Sequence, residues 1–282
     1  MRLVSYNIQY GTGRDGRVDL GRIAAALEGA DVIALQEVER GWPHSGRVDQ
    51  PAALAALLPG YHWVYGAGFD VHGADGRRQH GTMLLARTPI LSSLAWPLPM
   101  LATTRALNMR MTALAGVIGS GLGPLRVYSV HFSSLSSRER LLQAEALLGY
   151  EADMARARGP WTGAEDAPHW TLSEPPPEAA VGAIVMGDLN CEPGSPEYDA
   201  LVGAADPLHG RIAYADRWVD AWVAAGRREG EGISYPPNGR YRGLRLDHCL
   251  VSAGLVGRVR GAWIAGEAAG SDHQPLWVEI DA

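Results

Sequence analysis

Several apolar segments of the chain run directly into residues that can bind a metal ion or a phosphate group. In the stretch IVMGDLNCEP, residues 184–193, Asp188 and Asn190 stand two positions apart where the apolar run ends. Side chains at positions i and i+2 of a strand project to the same side, so we expect this acid and this amide to face one space.

The same arrangement recurs elsewhere along the chain. The candidate residues at the ends of apolar runs are Asn7 and Gln9, Glu37, His131, Asp188 and Asn190, Asp247 and His248, and Asp272 and His273. Taken singly, each is more often a turn residue or hydrogen-bonded scaffolding. Together they favour a functional site, because strand ends of one sheet system cluster in space and burying many acids without a cation is costly.

The residue types in this set favour Mg²⁺ or Mn²⁺ as the cofactor. These hard ions prefer carboxylate and amide oxygens and retain bound water. Zinc fits less well, because its sites need three or four His, Cys or carboxylate ligands in a closed geometry. The two cysteines, Cys191 and Cys249, have no metal-type spacing and no helical histidine pair nearby.

The elements that must position these residues are short strands and helices that alternate loosely. Asp19 is a predicted N-cap for DLGRIAAALEG, and Ser136 with Glu139 forms a predicted capping box. The other predicted helices are QPAALAALLPG, PEYDALVG and DRWVDAWVAAG. The predicted strands are RLVSYNI, DVIALQEV, YHWVYG, GTMLLA, RALNMRMTAL, LRVYSVHF, AIVMGDLN, RLDHCLVS, RVRGAWI and PLWVEI. Neither a repeat nor a linker interrupts the chain, which predicts one α/β domain over residues 1–282 with an irregular surface insertion at 159–182.

Composition limits the chemistry further. All 25 basic residues are arginine, which excludes lysine Schiff bases, lysine general bases and the P-loop lysine. The net charge of -6 gives no electrostatic footprint for a polyanion. Two cysteines, no signal-peptide pattern and no membrane-length apolar run predict a cytoplasmic protein without a membrane span, and no obligate protein partner is evident.

The motifs SYNIQ, LQEVE, VHFSS, GDLNCEP, RLDHCLVS and GSDHQPLWVEI occur in this order over nearly the whole chain. In this respect the sequence resembles the endonuclease/exonuclease/phosphatase superfamily, metal-dependent phosphoesterases related to pancreatic-type deoxyribonucleases, abasic endonucleases, sphingomyelinases and inositol polyphosphate phosphatases. The resemblance implies a four-layer α/β/β/α sandwich, in which two packed, mainly antiparallel sheets carry helices on both outer faces.

Carried over to this sequence, the resemblance implies a metal group and a catalytic group. Glu37 would be the principal metal ligand, with Asn7 beside it and Asp272 also reaching the metal. Asp188 would position or deprotonate the attacking water, and Asn190 would bind the phosphate.

The resemblance also assigns the histidines. Asp247 would orient His273 and stabilise its charged form against a phosphate oxygen. His131 matches the histidine of the deoxyribonuclease and sphingomyelinase branches, where abasic endonucleases have tyrosine, and it would lie near the leaving oxygen. Arg105 resembles an arginine that precedes a strand in some bacterial members, where it would bind substrate phosphate, although a solvated arginine explains it equally well.

One residue departs from the family pattern. Relatives often have Asp two positions after Asn7, whereas this chain has Gln9. The substitution removes a negative charge from the metal pocket, which leaves open whether one or two metal ions bind.

The expected function is hydrolysis of a phosphodiester or phosphomonoester by in-line attack of an activated water. A small or lipid-linked substrate is favoured, with a DNA or RNA nuclease as the alternative. Loops flanking the strand ends would set the choice: RGWPHSGRVDQ, GFDVHGADGRRQH and SYPPNGRYRG are expected at the rim. A binding module that kept the fold and lost the chemistry is the third candidate, although only Gln9 looks altered.

Two other enzyme classes fit poorly. GTGRDG, residues 11–16, is a literal dinucleotide-binding G-x-G-x-x-G pattern. However, the expected helix cap, Asp19, lies beyond it, and a nucleotide site leaves His131 and Asp188 without a role. A serine hydrolase is disfavoured because the chain contains no G-x-S-x-G elbow.

Overall fold

The structure, a computed structural model, describes residues 1–162, 174–175 and 177–282. Numbered along the chain, its strands are β1 (Arg2–Asn7), β2 (Val32–Arg40), β3 (His62–Gly73), β4 (Gly76–Ala86), β5 (Ile90–Pro97), β6 (Thr112–Ile118), β7 (Leu125–His131), β8 (Gly182–Asp188), β9 (Ala205–Asp206), β10 (Gly210–Arg211), β11 (Trp218–Asp220), β12 (Asp247–Ser252), β13 (Val259–Ile264) and β14 (Leu276–Ile280). The helices are α1 (Leu20–Ala26), α2 (Gln50–Leu57), α3 (Ser137–Ala157), α4 (Pro196–Val202) and α5 (Ala221–Ala224).

Twelve of the strands form two six-stranded sheets. The first has the order β13-β14-β1-β2-β4-β3, and the second has the order β11-β12-β8-β7-β6-β5. Each sheet contains one parallel pair, β1 with β2 and β7 with β8, and its other neighbours are antiparallel. The two sheets therefore repeat one pattern of strand directions.

Apolar side chains fill three layers. Leu84, Leu114 and Met186 belong to the layer between the sheets. Buried residues of α3 and α4, such as Leu147 and Tyr198, pack with the outer face of the second sheet. Residues of α1 and α2 pack in the same way with the first sheet. The predicted α/β/β/α sandwich with mainly antiparallel sheets is confirmed.

The predicted helix starts are confirmed at the two caps. The Asp19 carboxylate accepts from the backbone N–H groups of Gly21 and Arg22, and the Ser136 hydroxyl accepts from that of Glu139. The Glu139 side chain, however, does not close the capping box. It accepts from the Leu101 N–H at 2.7 Å and from the Asn108 amide at 2.7 Å, which ties the loop at 98–111 to α3.

Three expectations about local structure were wrong in detail. DRWVDAWVAAG forms a short strand, because Trp218 and Asp220 pair with β12, and only four residues of helix follow. RALNMRMTAL is strand only from Thr112, since Glu139 holds the preceding loop. Strand β5 was not predicted at all. Residues 163–173 and 176 of the expected 159–182 insertion lie outside the described residues. No helix in the described parts of the chain is long and apolar enough to cross a membrane.

Candidate active site

The predicted residues meet where the two parallel strand pairs end, except for Arg105 and His248. In the second sheet, Asp188 is the register partner of His131 on β7 and of Asp247 on β12. Partners in register project to the same face, so these three side chains stand in a row. The first sheet places Asn7 at the end of β1 and Glu37 on β2, on the opposite side of the sandwich.

Asp188 is the centre of the hydrogen-bond network. One carboxylate oxygen accepts from the Asn7 amide at 3.0 Å, and the other accepts from the Asn190 backbone N–H at 2.8 Å. The Nε2 atoms of His131 and His273 each lie 3.6 Å from the first oxygen. Groups from both sheets thus hold a carboxylate that is almost fully buried.

The sequence context predicted that Glu37 ends a strand, but it lies within β2. The pairing of β2 with β4 shifts register between Leu35 and Val38, and Glu37 has a left-handed φ of 57° at this bulge. Asn190 is also left-handed, with φ 49°. Such conformations are strained for residues other than glycine, and bulges re-aim side chains beside active sites. The bulge turns Glu37 toward Asn7, whose amide donates to it at 3.0 Å.

Asp247 and His273 form a buried ion pair. The Asp247 carboxylate accepts from His273 Nδ1 at 2.7 Å. Burial alone would lower the pKa of His273, but the charges of Asp247 and Asp188 outweigh it and raise the pKa to about 10. The imidazole is therefore charged at neutral pH, with its Nε2–H facing the site.

The Asp272 carboxylate accepts a hydrogen bond from the Gln9 side-chain amide at 3.1 Å. Burial raises the pKa of Asp272, and the negative charge of Glu37 raises it further, although His273 opposes both. A carboxylate whose ionisation is disfavoured by burial and by a neighbouring acid is a suitable ligand for a cation, which relieves the repulsion. The oxygen donors of Glu37 and Asp272 fit Mg²⁺ or Mn²⁺ on this ground.

Asn7 has a second role that its sequence position did not suggest. Its amide nitrogen donates to both Glu37 and Asp188, and its oxygen accepts from the Gln9 backbone N–H at 3.0 Å. In this orientation the residue links the metal side of the site to Asp188. Direct ligation of a metal ion by Asn7 would require the side-chain amide to flip, so that its oxygen no longer accepts from the Gln9 backbone N–H.

A second group of potential ligands consists of Asp188, Asp247 and His273, whose ligand atoms lie within 4.8 Å of one another. Asp247 Oδ1 has no hydrogen-bond partner among the described residues. In this group both ring nitrogens of His273 already face carboxylates, Nδ1 at 2.7 Å from Asp247 and Nε2 at 3.6 Å from Asp188. The oxygen-rich side around Glu37 is therefore the better cation site.

A pocket of about 360 Å³ is lined by Glu37, His131, Asp188, Asn190, Asp272 and His273. Sequence reasoning missed Arg140 on its wall, which pairs with the buried Glu197 at 2.6 Å. Tyr235 and Tyr241 also line the pocket, and the Tyr235 ring lies 5.0 Å from that of His273. Both tyrosines come from SYPPNGRYRG, so the expected rim position of that segment was the signal that could have found them.

Arg105 lies apart from this cluster. It is exposed in the 98–111 loop, and no hydrogen bond or ion pair joins it to another described residue. His248, one of the sequence candidates, faces away from the pocket. Its Nε2 contacts the Cys191 carbonyl at 2.9 Å, and its Nδ1 lies 3.3 Å from Arg245, so it supports the turn after Asn190.

The model of the Endonuclease/Exonuclease/phosphatase family matches residues 4–273. The chain belongs to this family. Family members are phosphoester hydrolases that depend on a divalent metal, so this protein is a hydrolase acting on phosphate ester bonds. No curated protein matches the sequence at a significant level.

Solved structures share the fold at low sequence identity. A family protein from Beutenbergia cavernae is 22% identical with a TM-score of 0.66, over 99% of this chain and 70% of that one. A mannosyl-6-phosphatase from Bacteroides thetaiotaomicron is 17% identical with a TM-score of 0.67, over all of both chains. D. rerio TDP2, solved with a single-strand DNA product, is 18% identical with a TM-score of 0.63, over 100% of this chain and 99% of that one.

Proposed function

We propose that this protein uses Mg²⁺ or Mn²⁺ to hydrolyse a phosphodiester or phosphomonoester by in-line attack of water, on a small or lipid-linked substrate. The observation that carries the proposal is the convergence on Asp188. Asn7 and His273 reach it from the first sheet, and Asn190 and His131 reach it from the second, where Asp247 also holds the His273 ring. Burying this polar set would be costly in a module without chemistry.

Glu37 and Asp272 would hold the cation, with Asn7 between Glu37 and Asp188. When bound, the metal ion would supply positive charge to the phosphate oxygens as negative charge develops. Because Gln9 is neutral and donates to Asp272, the metal side carries one carboxylate fewer than an Asp at that position would give. This arrangement favours one metal ion over two.

The remaining residues would orient the reactants. Asp188, fixed by donors on both oxygens, would accept a hydrogen bond from the attacking water and take its proton. The charged His273 would donate its Nε2–H to a phosphate oxygen, while Asp247 keeps that proton in place. The half-buried Asn190 and the buried His131 lie 3.3 Å apart, where they would face the phosphate and the leaving oxygen.

The distribution of arginine supports a small or lipid-linked substrate over duplex DNA. The arginines that could have formed a basic groove beside the site are mostly engaged. Arg77 pairs with Asp70 at 2.8 Å and Arg242 with Glu192 at 2.8 Å, while Arg245 is buried against Asp220. Duplex binding draws most of its affinity from basic side chains that neutralise phosphates.

Metal dependence tests the proposal directly. Hydrolysis of bis(4-nitrophenyl) phosphate should vanish with a chelator and return with Mg²⁺ or Mn²⁺. The variant Glu37→Gln should lose at least about 10²-fold in turnover and bind Mg²⁺ weakly in calorimetry, while its unfolding temperature is unchanged. The exposed Glu28→Gln serves as the matched control. Full activity of Glu37→Gln at ordinary metal concentration would sink the assignment.

A further inference from the structure

A second cavity opens directly beside the catalytic pocket. This apolar cleft has a volume of about 720 Å³, and the two cavities share Glu37 and Met109 in their walls. It is lined by Trp42 after β2, Phe69 and Val71 on β3, and Met100 and Leu107 in the 98–111 loop. A substrate held at the metal side of the site can therefore extend into the cleft without leaving the protein surface.

The aromatic side chains of the apolar cleft are packed on one another. Phe69 stacks on His80 with ring centres 5.7 Å apart, and Trp42 meets Phe69 edge-on at 6.1 Å. The Trp42 ring also carries the Arg78 guanidinium at 5.5 Å. Because these rings contact one another, they leave no gap between parallel faces in which a nucleobase could stack.

Most charged groups in the cleft already have partners. The buried Glu39 carboxylate accepts from the Ser45 hydroxyl at 2.9 Å and contacts His44 at 2.9 Å and His80 at 3.3 Å. Arg110 donates to the Leu98 carbonyl at 3.2 Å. With Glu37 and Glu39 as its acids, the cleft offers little to a second phosphate, which disfavours a nucleic acid strand.

The mouth of the cleft is apolar and exposed. Leu107 is 83% exposed and Val71 is 45% exposed, although both border the same cavity. The unbranched Met100 and Met109 side chains adapt to irregular apolar groups. This combination suits a flexible hydrocarbon chain, which gains free energy from burial alone and needs no polar partner.

We infer that the apolar cleft binds the hydrocarbon chain of a lipid-linked phosphoester whose phosphate lies in the catalytic pocket. The inference rests on the proposed function, because it assigns the cleft to the substrate of that same site. It narrows the substrate class from small or lipid-linked esters to those that carry an alkyl or acyl chain next to the phosphate.

A series of n-alkylphosphonates, from methyl to octyl, tests this inference by calorimetry on the Mg²⁺-loaded protein. These probes mimic the phosphate, are not hydrolysed and remain monomeric. The dissociation constant should fall by about twofold to fourfold for each added methylene, as expected for burial of that group. A dissociation constant that does not change with chain length, or no binding by any member of the series, overturns the inference.

The double variant Leu107→Asn/Val71→Asn should flatten the dependence on chain length and leave methylphosphonate affinity within about twofold. The control Leu208→Asn/Val223→Asn changes residues that are 83% and 37% exposed outside the cleft and should keep the wild-type dependence. If the dissociation constants of both double variants depend equally on chain length, that result also contradicts the assignment of the cleft. If the protein hydrolyses bis(4-nitrophenyl) phosphate but alkylphosphonate affinity does not depend on chain length, only the assignment of the cleft is rejected. If affinity depends on chain length but no hydrolysis is seen, only the proposed reaction is rejected.

Discussion

At the scale of single residues, Asn7 couples the two sides of the site. Its amide donates to Glu37 and to Asp188, each at 3.0 Å, so one side chain sets the spacing between the proposed metal ligand and the proposed base. Its backbone carbonyl accepts from the Ser271 hydroxyl at 2.7 Å. That contact fixes the loop carrying Asp272 and His273, so Asn7 helps to position four functional residues at once.

Asp247 and His273 should behave as one unit. The Asp247 carboxylate lies 2.7 Å from the ring nitrogen that it orients, so we expect that removing either group disables both. Asp247→Ala and His273→Ala should each lose at least about 10²-fold in turnover, and the double variant should lose little more. Turnover measured for the wild type, the two single variants and the double variant completes the double-mutant cycle. Losses that multiply would show that the two residues act independently.

The charge of His273 has a defined pH range. Its pKa of about 10 in the folded protein exceeds the ordinary histidine value. Protonation therefore contributes stability that is fully present below about pH 6.5 and is lost as pH rises through about 10. NMR titration of the ring should show no titration between pH 6 and 8, whereas Asp247→Asn should lower the pKa. A wild-type ring that titrates near pH 6.5 contradicts the ion pair.

At the scale of elements, the parallel pair β7–β8 leaves no room for a side chain at Gly187. A Cβ atom there would lie 1.9 Å from the Val130 carbonyl oxygen. Gly187→Ala should therefore destabilise the protein by about 1–3 kcal/mol and lower turnover as well, since the next residues in register are His131 and Asp188. Denaturant unfolding and activity assays measure both effects.

A matched glycine elsewhere provides the control for that prediction. Gly149 lies inside α3, where a Cβ atom would meet nothing within 4 Å. Gly149→Ala should leave activity unchanged and stabilise the protein by about 0.4–1 kcal/mol. If Gly187→Ala behaved like Gly149→Ala, the close approach of β7 and β8 would not constrain the site.

Apolar runs followed by acids and amides predicted which residues converge, apart from Arg105 and His248, because such patterns depend only on local order. The sequence could not reveal the bulge at Glu37, since a register shift is set by the partner strand β4. The same limit applies to DRWVDAWVAAG, whose helical pattern yields to pairing with β12. The apolar cleft was equally hidden, because its walls come from five segments that only the sandwich brings together.

At the scale of the whole molecule, the net charge of -6 and the paired arginines predict poor action on duplex DNA. Plasmid nicking should be slow, and hydrolysis of small and lipid-linked phosphodiesters should be faster, at matched enzyme, metal and salt concentrations. The comparison should include Glu37→Gln to exclude a contaminating nuclease. Rapid, Glu37-dependent nicking without turnover of small substrates would identify a nuclease instead.

The two sheets draw on the chain unequally, and this has a consequence during synthesis. All six strands of the second sheet come from residues 90–252. The first sheet instead combines β1–β4 with β13 and β14. Asn7 and Ser271, which touch in the folded protein, are 264 residues apart. At roughly 5–20 residues per second, a ribosome needs about 15 to 50 s to make the intervening chain. The nascent polypeptide should therefore be unable to hydrolyse anything until Asp272 and His273 emerge, by which time the second sheet can already have formed.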